Sequence, residues 1–206
     1  MKKIISFSLY GEDLKYWVGA LENIKLAQEF YPEWKCRFYI DADANPGLMN
    51  MVCQMDCEII LETPVQTHSG LFWRFYAADD ADIMICRDTD SRLSDREAKA
   101  VYDWLDTGRC FHIMRDHPYH TALIPGGMWG CRDMEGIRTL IEKFPLQNAK
   151  GTDQLFLARV IYPQIKDNAI IHDSYNLFND GIDFPIPRLG KEFIGAAYDQ
   201  FGNLQV

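Results

Sequence analysis

Ile83-Met84-Ile85-Cys86-Arg87-Asp88-Thr89-Asp90-Ser91-Arg92-Leu93 is the stretch from which the fold can be read. Four apolar residues run directly into an acid, a small residue and a second acid. Ser94 and Glu97 then form a capping box for the helix that follows. A strand without polar alternation has no wet face, as in a parallel sheet covered by helices on both sides. Asp88 and Asp90 then stand at its C-terminal lip, where open α/β sheets bind ligands. Residues i and i+2 can share a direction there. The two carboxylates thus offer hard oxygens to Mg²⁺ or Mn²⁺ and, through the cation, to a diphosphate.

Strand-like and helix-like segments alternate on both sides of this stretch. Residues 2–10 read as a strand, and 13–30 as a helix with Leu14, Trp17, Val18, Leu21 and Ile24 at helical spacing. A strand at 36–40 ends in Asp41-Ala42-Asp43, Asn45-Pro46-Gly47 turns into another helix, and 57–61 is a third strand. A loop over 63–70 and a helix over 71–80 lead to the strand at 82–87. This order predicts an open, largely parallel sheet. Downstream, 96–106 reads as a helix, 111–114 as a strand, 115–131 as a loop-rich passage and 133–144 as an amphipathic helix. A helix over 152–162 and a short strand at 169–172 precede a proline-bearing tail with an apolar patch at 193–197. No repeat or linker divides the chain. The expectation is one α/β domain over 1–206, with an apolar end that permits a continuation into a longer protein.

With 48% hydrophobic and 13% aromatic residues, 206 residues can bury a full core. The net charge of -9, with no compensating basic run, is the wrong sign for gripping a nucleic-acid backbone. An acidic protein that handles a phosphorylated substrate needs a local cationic device, and a bound divalent cation supplies one. No apolar run approaches the roughly 20 residues of a transmembrane helix. Gly11-Glu12-Asp13 interrupts the basic N-terminal start too early for a signal peptide. Cys36, Cys53, Cys57, Cys86, Cys110 and Cys131 are scattered and lack a CxxC pair, so they read as free thiols in a reducing compartment. A cytoplasmic location is expected.

Met114-Arg115-Asp116-His117-Pro118-Tyr119-His120, Gly126-Gly127-Met128-Trp129-Gly130, Gly151-Thr152-Asp153-Gln154 and Ile171-His172-Asp173 follow Asp88-Thr89-Asp90 in that order. Together they resemble the GT-A-fold, nucleotide-sugar-dependent glycosyltransferases over nearly the whole chain, most closely the short bacterial and large-DNA-virus members. The resemblance implies a Rossmann-like, mostly parallel mixed sheet flanked by helices. It also implies a Mn²⁺ (or Mg²⁺) cofactor, a UDP-sugar donor of the hexose or deoxyhexose type, and a glycan or glycoprotein acceptor. By the same resemblance Asp90 ligates the metal, Asp88 contacts the ribose and the metal, and His172 is a third metal ligand. Asp116 binds donor-sugar hydroxyls, and Gly126 and Gly127 let the backbone approach the sugar. Asp153 and Gln154 match the acid-amide pair that retaining members place near the anomeric carbon. Ser8 and Tyr10 fall where uracil and ribose lie. If the reaction inverts instead, Asp116 or Asp153 is the candidate base.

One departure is that relatives follow the metal histidine with Gly and a diphosphate-gripping Lys, whereas His172 leads into Asp173-Ser174-Tyr175. Arg74 and Arg87 are the candidates to replace that cation. Competing readings remain for individual groups. Asp41 and Asp43 form a second DxD, His112 reads as a packed core histidine, and Trp73, Trp104 and Trp129 are core candidates. Three other functions compete with the glycosyltransferase reading. A haloacid-dehalogenase-type phosphatase needs Thr or Val where Arg92 stands, and a nucleotidyltransferase needs a Gly-rich N-terminal loop that is missing. A catalytically silent sugar-binding module would have little reason to keep all the ligand candidates.

Overall fold

Strands β1 (Lys3–Leu9), β2 (Lys35–Asp41), β3 (Glu58–Glu62), β4 (Ile83–Cys86), β5 (Phe111–Arg115), β6 (Trp129–Arg132) and β7 (Ala169–Asp173) form one sheet in the order β3-β2-β1-β4-β6-β5-β7. The computed structural model describes residues 1–66, 68–145 and 149–205, so Thr67 of the expected 63–70 loop lies outside the described residues. The quoted apolar run is therefore the central strand. Its neighbour β1 is parallel to it, and both of their faces are buried. Side chains alternate between the faces with a period of two. Ile5, Phe7, Leu9, Ile83 and Ile85 pack against helices α1 (Leu14–Phe30), α2 (Pro46–Cys53) and α4 (Asp95–Thr107). Ile4, Met84 and Cys86 face a second core with α3 (Gly70–Trp73), α5 (Ile137–Lys143) and α6 (Thr152–Phe156).

Strand β6 departs from the expected loop over 115–131. It runs antiparallel between β4 and β5, which makes the sheet mixed. Trp129-Gly130-Cys131-Arg132 shows no alternation of its own, and its strand character comes from pairing with both neighbours. Other boundaries differ for local reasons. The helix expected over 71–80 becomes a 3₁₀ turn from Arg74 to Asp79 after α3. Helix α5 starts late because Asp133 and Gly136 adopt φ of 53° and 82°. The Asp79 carboxylate then accepts from the Ile137 and Arg138 amides at 2.8 and 3.1 Å, a cap supplied from a distant element. After α6 the helix widens to a π turn (Leu157–Ile161) before α7 (Tyr162–Ile165), whose Pro163 has no amide to continue the preceding ladder.

The tail folds back over the lip of the sheet. The Ile194 amide donates to Asp116 Oδ2 at 2.9 Å. The Tyr198 amide, in the small hairpin of β8 (Ala197–Tyr198) and β9 (Leu204–Gln205), donates to the Asp90 carbonyl at 2.8 Å. The cysteines are free thiols. Among the described residues no helix is long and apolar enough to cross a membrane.

Candidate functional site

β1 and β4 end side by side, with Ser6 opposite Cys86. Alternate serines of β1 fix the backbone of Arg74. Ser8 Oγ accepts from its amide at 2.9 Å, and Ser6 Oγ donates to its carbonyl at 2.6 Å. The buried Arg74 guanidinium then spans two acids, with Nη1 on Asp88 Oδ1 and Nη2 on Asp153 Oδ2 at 3.0 Å. Burial works against its charge, yet Asp88 and Asp153 outweigh it and hold the arginine pKa above its ordinary value.

The loop carrying both aspartates is pinned from α1. Asn23, fully buried, donates to the carbonyls of Thr89 (3.3 Å) and Ser91 (2.9 Å) and accepts from the Leu93 amide at 3.0 Å. Ser91 closes the turn by donating from Oγ to the Asp88 carbonyl at 2.7 Å. Gly19 allows this contact, because a Cβ there would stand 2.0 Å from the Thr89 carbonyl oxygen. Neither Gly19 nor Asn23 is among the residues expected from the sequence. On an amphipathic helix the one available signal is the polar Asn23 within an apolar stripe.

Gly126 and Gly127 cover the acids at the closest range the backbone permits. A Cβ on Gly127 would lie 2.1 Å from Asp88 Oδ2, and one on Gly126 would lie 2.5 Å from Asp153 Oδ2 and 2.7 Å from Arg74 Nη2. The resulting cleft, about 360 Å³, brings together Ser8, Tyr10, Arg74, Asp88, Asp90, Gly126, Gly127, Asp153 and Gln154. Tyr16, Lys150, Gly195 and Ala197 also line it without a motif to announce them; Lys150 directly precedes the Gly151-Thr152-Asp153-Gln154 motif. A neighbouring cavity of about 320 Å³ joins Tyr10 to Asp41, Gly70 and Trp73.

The cleft is rich in acids. Burial raises the Asp90 carboxyl pKa and Asp88 raises it further, against the opposing pull of Lys15, whose Nζ lies 3.7 Å from Asp90 Oδ2. Burial also raises Asp153, with Arg74 opposing and Asp88 adding. Such a site favours a cation among its acids. Asp88 keeps Oδ2 turned toward the Gly127 backbone, and Asp90 is a hard-oxygen donor on the same loop. Among the described residues no group of three or more His, Cys, Asp or Glu could hold a metal ion alone. A two-carboxylate set nevertheless fits Mg²⁺ or Mn²⁺, which is commonly held by one or two acids together with substrate phosphates.

Three candidates lie elsewhere. His172 is fully buried in β7 and does not line the cleft, so the expected third-ligand role has no geometric support. Its Nδ1 meets His112 Nε2 at 2.8 Å and its Nε2 meets Asp103 Oδ2 at 3.2 Å, leaving neither nitrogen free. Asp116 is equally committed. Its Oδ1 accepts from Arg96 and Ser174 at 2.9 and 2.5 Å, and its Oδ2 accepts from the Ile194 amide, so it anchors the tail instead of facing a sugar. Arg87 pairs with Glu97 at 2.6 Å inside the core, where it cannot serve as a phosphate ligand. His112 stacks on Trp104 with centroids 5.4 Å apart, in keeping with a core position.

No protein-family model matches the chain, and no curated protein matches its sequence. Solved structures match it in fold, and that fold is the one of the GT-A glycosyltransferases. One is a glycosyltransferase involved in glycosylating the major capsid of PBCV-1. It is 15% identical, with a TM-score of 0.53 over 86% of this chain and 84% of that one. A mannosyltransferase from Pyrobaculum calidifontis, in complex with GDP-Man and Mn²⁺, is 14% identical with a TM-score of 0.55, over 92% of this chain and 58% of its own. Glucosyl-3-phosphoglycerate synthase from Mycobacterium tuberculosis, with Mn²⁺, UDP-glucose and glycerol 3-phosphate, is 12% identical with a TM-score of 0.51, over 91% and 73%.

Proposed function

We propose that this chain is a glycosyltransferase of one domain, using a divalent cation to move a sugar from a nucleotide-sugar donor, of the UDP-hexose or UDP-deoxyhexose type, to a glycan hydroxyl. The observation that carries the reading is the convergence of Asp88, Asp90 and Asp153 around Arg74, beneath the Gly126-Gly127 backbone. Asp88 and Asp90 would hold Mn²⁺ or Mg²⁺, which as a Lewis acid supplies charge for the departing diphosphate. Arg74 locks Asp88 and Asp153 in fixed positions, so the acids need no rearrangement when charge develops. The nucleoside sits along Ser8 and Tyr10, and the cavity that reaches Asp41 can receive the base. Its location in the cell is read as cytoplasmic.

Asp153 and Gln154 favour retention, in which the acceptor proton leaves with the departing phosphate. In an inverting reaction Asp153 is the base, and burial, which raises its pKa, suits that task. Asp116 drops out as a base because both of its oxygens are engaged. The test is a screen of nucleotide sugars for metal-supported hydrolysis and transfer, with wild type beside Asp90→Asn. Release of nucleotide from at least one donor by wild type alone is expected. A wild type inert toward every donor refutes the enzyme reading.

A further inference from the structure

A third cavity, about 300 Å³, lies on the other side of the tail from the cleft. Ile194 and Tyr198 line this cavity, while Gly195 and Ala197 between them line the cleft. The two spaces also share the loop after β4, since Asp90 faces one and Arg92 the other.

The charges here differ from those in the rest of the molecule. Each buried arginine elsewhere is matched by acid: Arg37 by Glu58 and Asp80 (2.7 and 2.6 Å), Arg74 by Asp88 and Asp153, Arg87 by Glu97, and Arg115 by Asp173 and Asp180 (3.0 and 2.7 Å). Arg92, partly buried in the cavity wall, makes no ion pair among the described residues. Its Nη1 rests on the carbonyls of Thr89, Asp90 and Ser91, and its guanidinium lies 5.1 Å from the centre of the Tyr198 ring. Arg96 has one acid, Asp116; its Nη1 also donates to the Ile186 carbonyl at 3.2 Å and its Nη2 to Ser174 Oγ at 3.1 Å, with the centre of the Phe184 ring 4.0 Å away. Arg188 adds positive charge beside it by donating to the Asp116 carbonyl at 3.1 Å without an ion pair of its own among the described residues. Burial pulls both Arg92 and Arg96 below the ordinary arginine range. The acids that line the cavity, Asp95 and Glu192, are exposed, and Glu192 acts electrostatically on Tyr198.

We propose that this cavity is an acceptor subsite for an anionic saccharide, binding its phosphate or carboxylate group through Arg92 and Arg96 with a sugar face against Tyr198. The proposal rests on the glycosyltransferase reading and narrows the acceptor to a charged glycan. A guanidinium fork suits both oxyacid groups, and an aromatic face suits the apolar side of a sugar ring. An anion here gives Arg92 a direct ion pair, where Glu22, Asp90 and Asp199 act on it only from beyond contact distance.

The test is titration of glucose 6-phosphate, glucuronate and glucose into wild type and into Leu189→Glu and Leu189→Arg. Leu189 lines the cavity and is 83% exposed, so neither variant disturbs the core. At least one anionic sugar is expected to bind and glucose is not; which anion prefers the site distinguishes phosphate from carboxylate. Leu189→Glu should weaken binding and Leu189→Arg strengthen it, with the two variants differing by roughly five- to tenfold at low salt. Arg92→Gln should abolish the preference for the anion. Equal binding of all three sugars, no binding of any, or anion binding indifferent to residues 189 and 92 overturns the proposal. Metal-dependent UDP binding, measured in the same samples, reports on the donor cleft alone. A working donor site with a failed subsite therefore differs from failure of the glycosyltransferase reading.

Discussion

Gly127→Ala places a methyl where Asp88 already stands. The added Cβ would lie 2.1 Å from Asp88 Oδ2, 2.5 Å from Cγ and 2.9 Å from the Asp88 backbone nitrogen. Relief requires more than an ångström at the carboxylate, and the backbone contact prevents side-chain rotation from providing all of it. The carboxylate must leave Arg74, which then pairs with Asp153 alone. Overpacking of this kind costs about 1–3 kcal/mol of stability. Displacing one of two proposed metal acids costs metal-supported nucleotide affinity roughly 10- to 100-fold, the range seen when groups that orient metal ligands are removed. Gly108→Ala is the control. Gly108 has φ of 76° and open space where the added methyl would go, with nothing within 4 Å, so it loses about 1–2 kcal/mol to left-handed strain alone. Urea unfolding measures the stability change of both variants, and calorimetric titration of UDP with Mn²⁺ measures binding. Gly127→Ala should lose UDP affinity while Gly108→Ala keeps it. Wild-type affinity in Gly127→Ala, or equal losses in both, refutes the cradle.

Other predictions concern the supports of the site and the fold. Asn23→Ala strips hydrogen bonds from the carbonyls of Thr89 and Ser91 and from the Leu93 amide, so urea unfolding should show a loss of about 1–3 kcal/mol, accompanied by weaker UDP binding. Arg115→Met leaves the buried Asp173 carboxylate without its cation, and unfolding should register about 3–5 kcal/mol. Burial lowers the pKa of both His112 and His172, so the folded state binds fewer protons than the unfolded chain below about pH 6.5. Their contribution is complete above that pH and is lost on acidification, by up to about 1.4 kcal/mol per pH unit for each ring. Thermal unfolding between about pH 7.5 and 5 should show this slope, and His112→Phe should flatten it. Asp79→Ala removes the cap on α5 and should cost about 1 kcal/mol in the same assay.

Much of this architecture is legible from local pattern. The unbroken apolar run Ile83–Cys86 marks a strand covered on both faces, and the acids that follow it necessarily stand at the lip. Ser94 caps α4 through the Glu97 amide at 3.3 Å, as its position before an acid-rich turn indicates. What eludes the pattern depends on contacts distant in sequence. Strand β6 exists because β4 and β5 flank it, α5 is capped by Asp79, and His172 is drawn inward by His112 and Asp103. A motif can place a histidine at a strand end but cannot say which partners its two nitrogens will take. Asp116 illustrates the same limit, because the tail that consumes its carboxylate lies far downstream.

The most direct test of the central claim is calorimetric titration of UDP into wild type and Asp90→Asn, first with Mn²⁺ and then with EDTA. Asp90 is only partly exposed at the cleft and makes its one ion pair among the described residues, at 3.7 Å, with Lys15, so the isosteric amide should leave the fold intact. A metal site built on Asp88 and Asp90 predicts UDP binding that requires the metal in wild type and disappears in the variant. UDP binding indifferent to metal, or an Asp90→Asn protein that binds as wild type does, would contradict it.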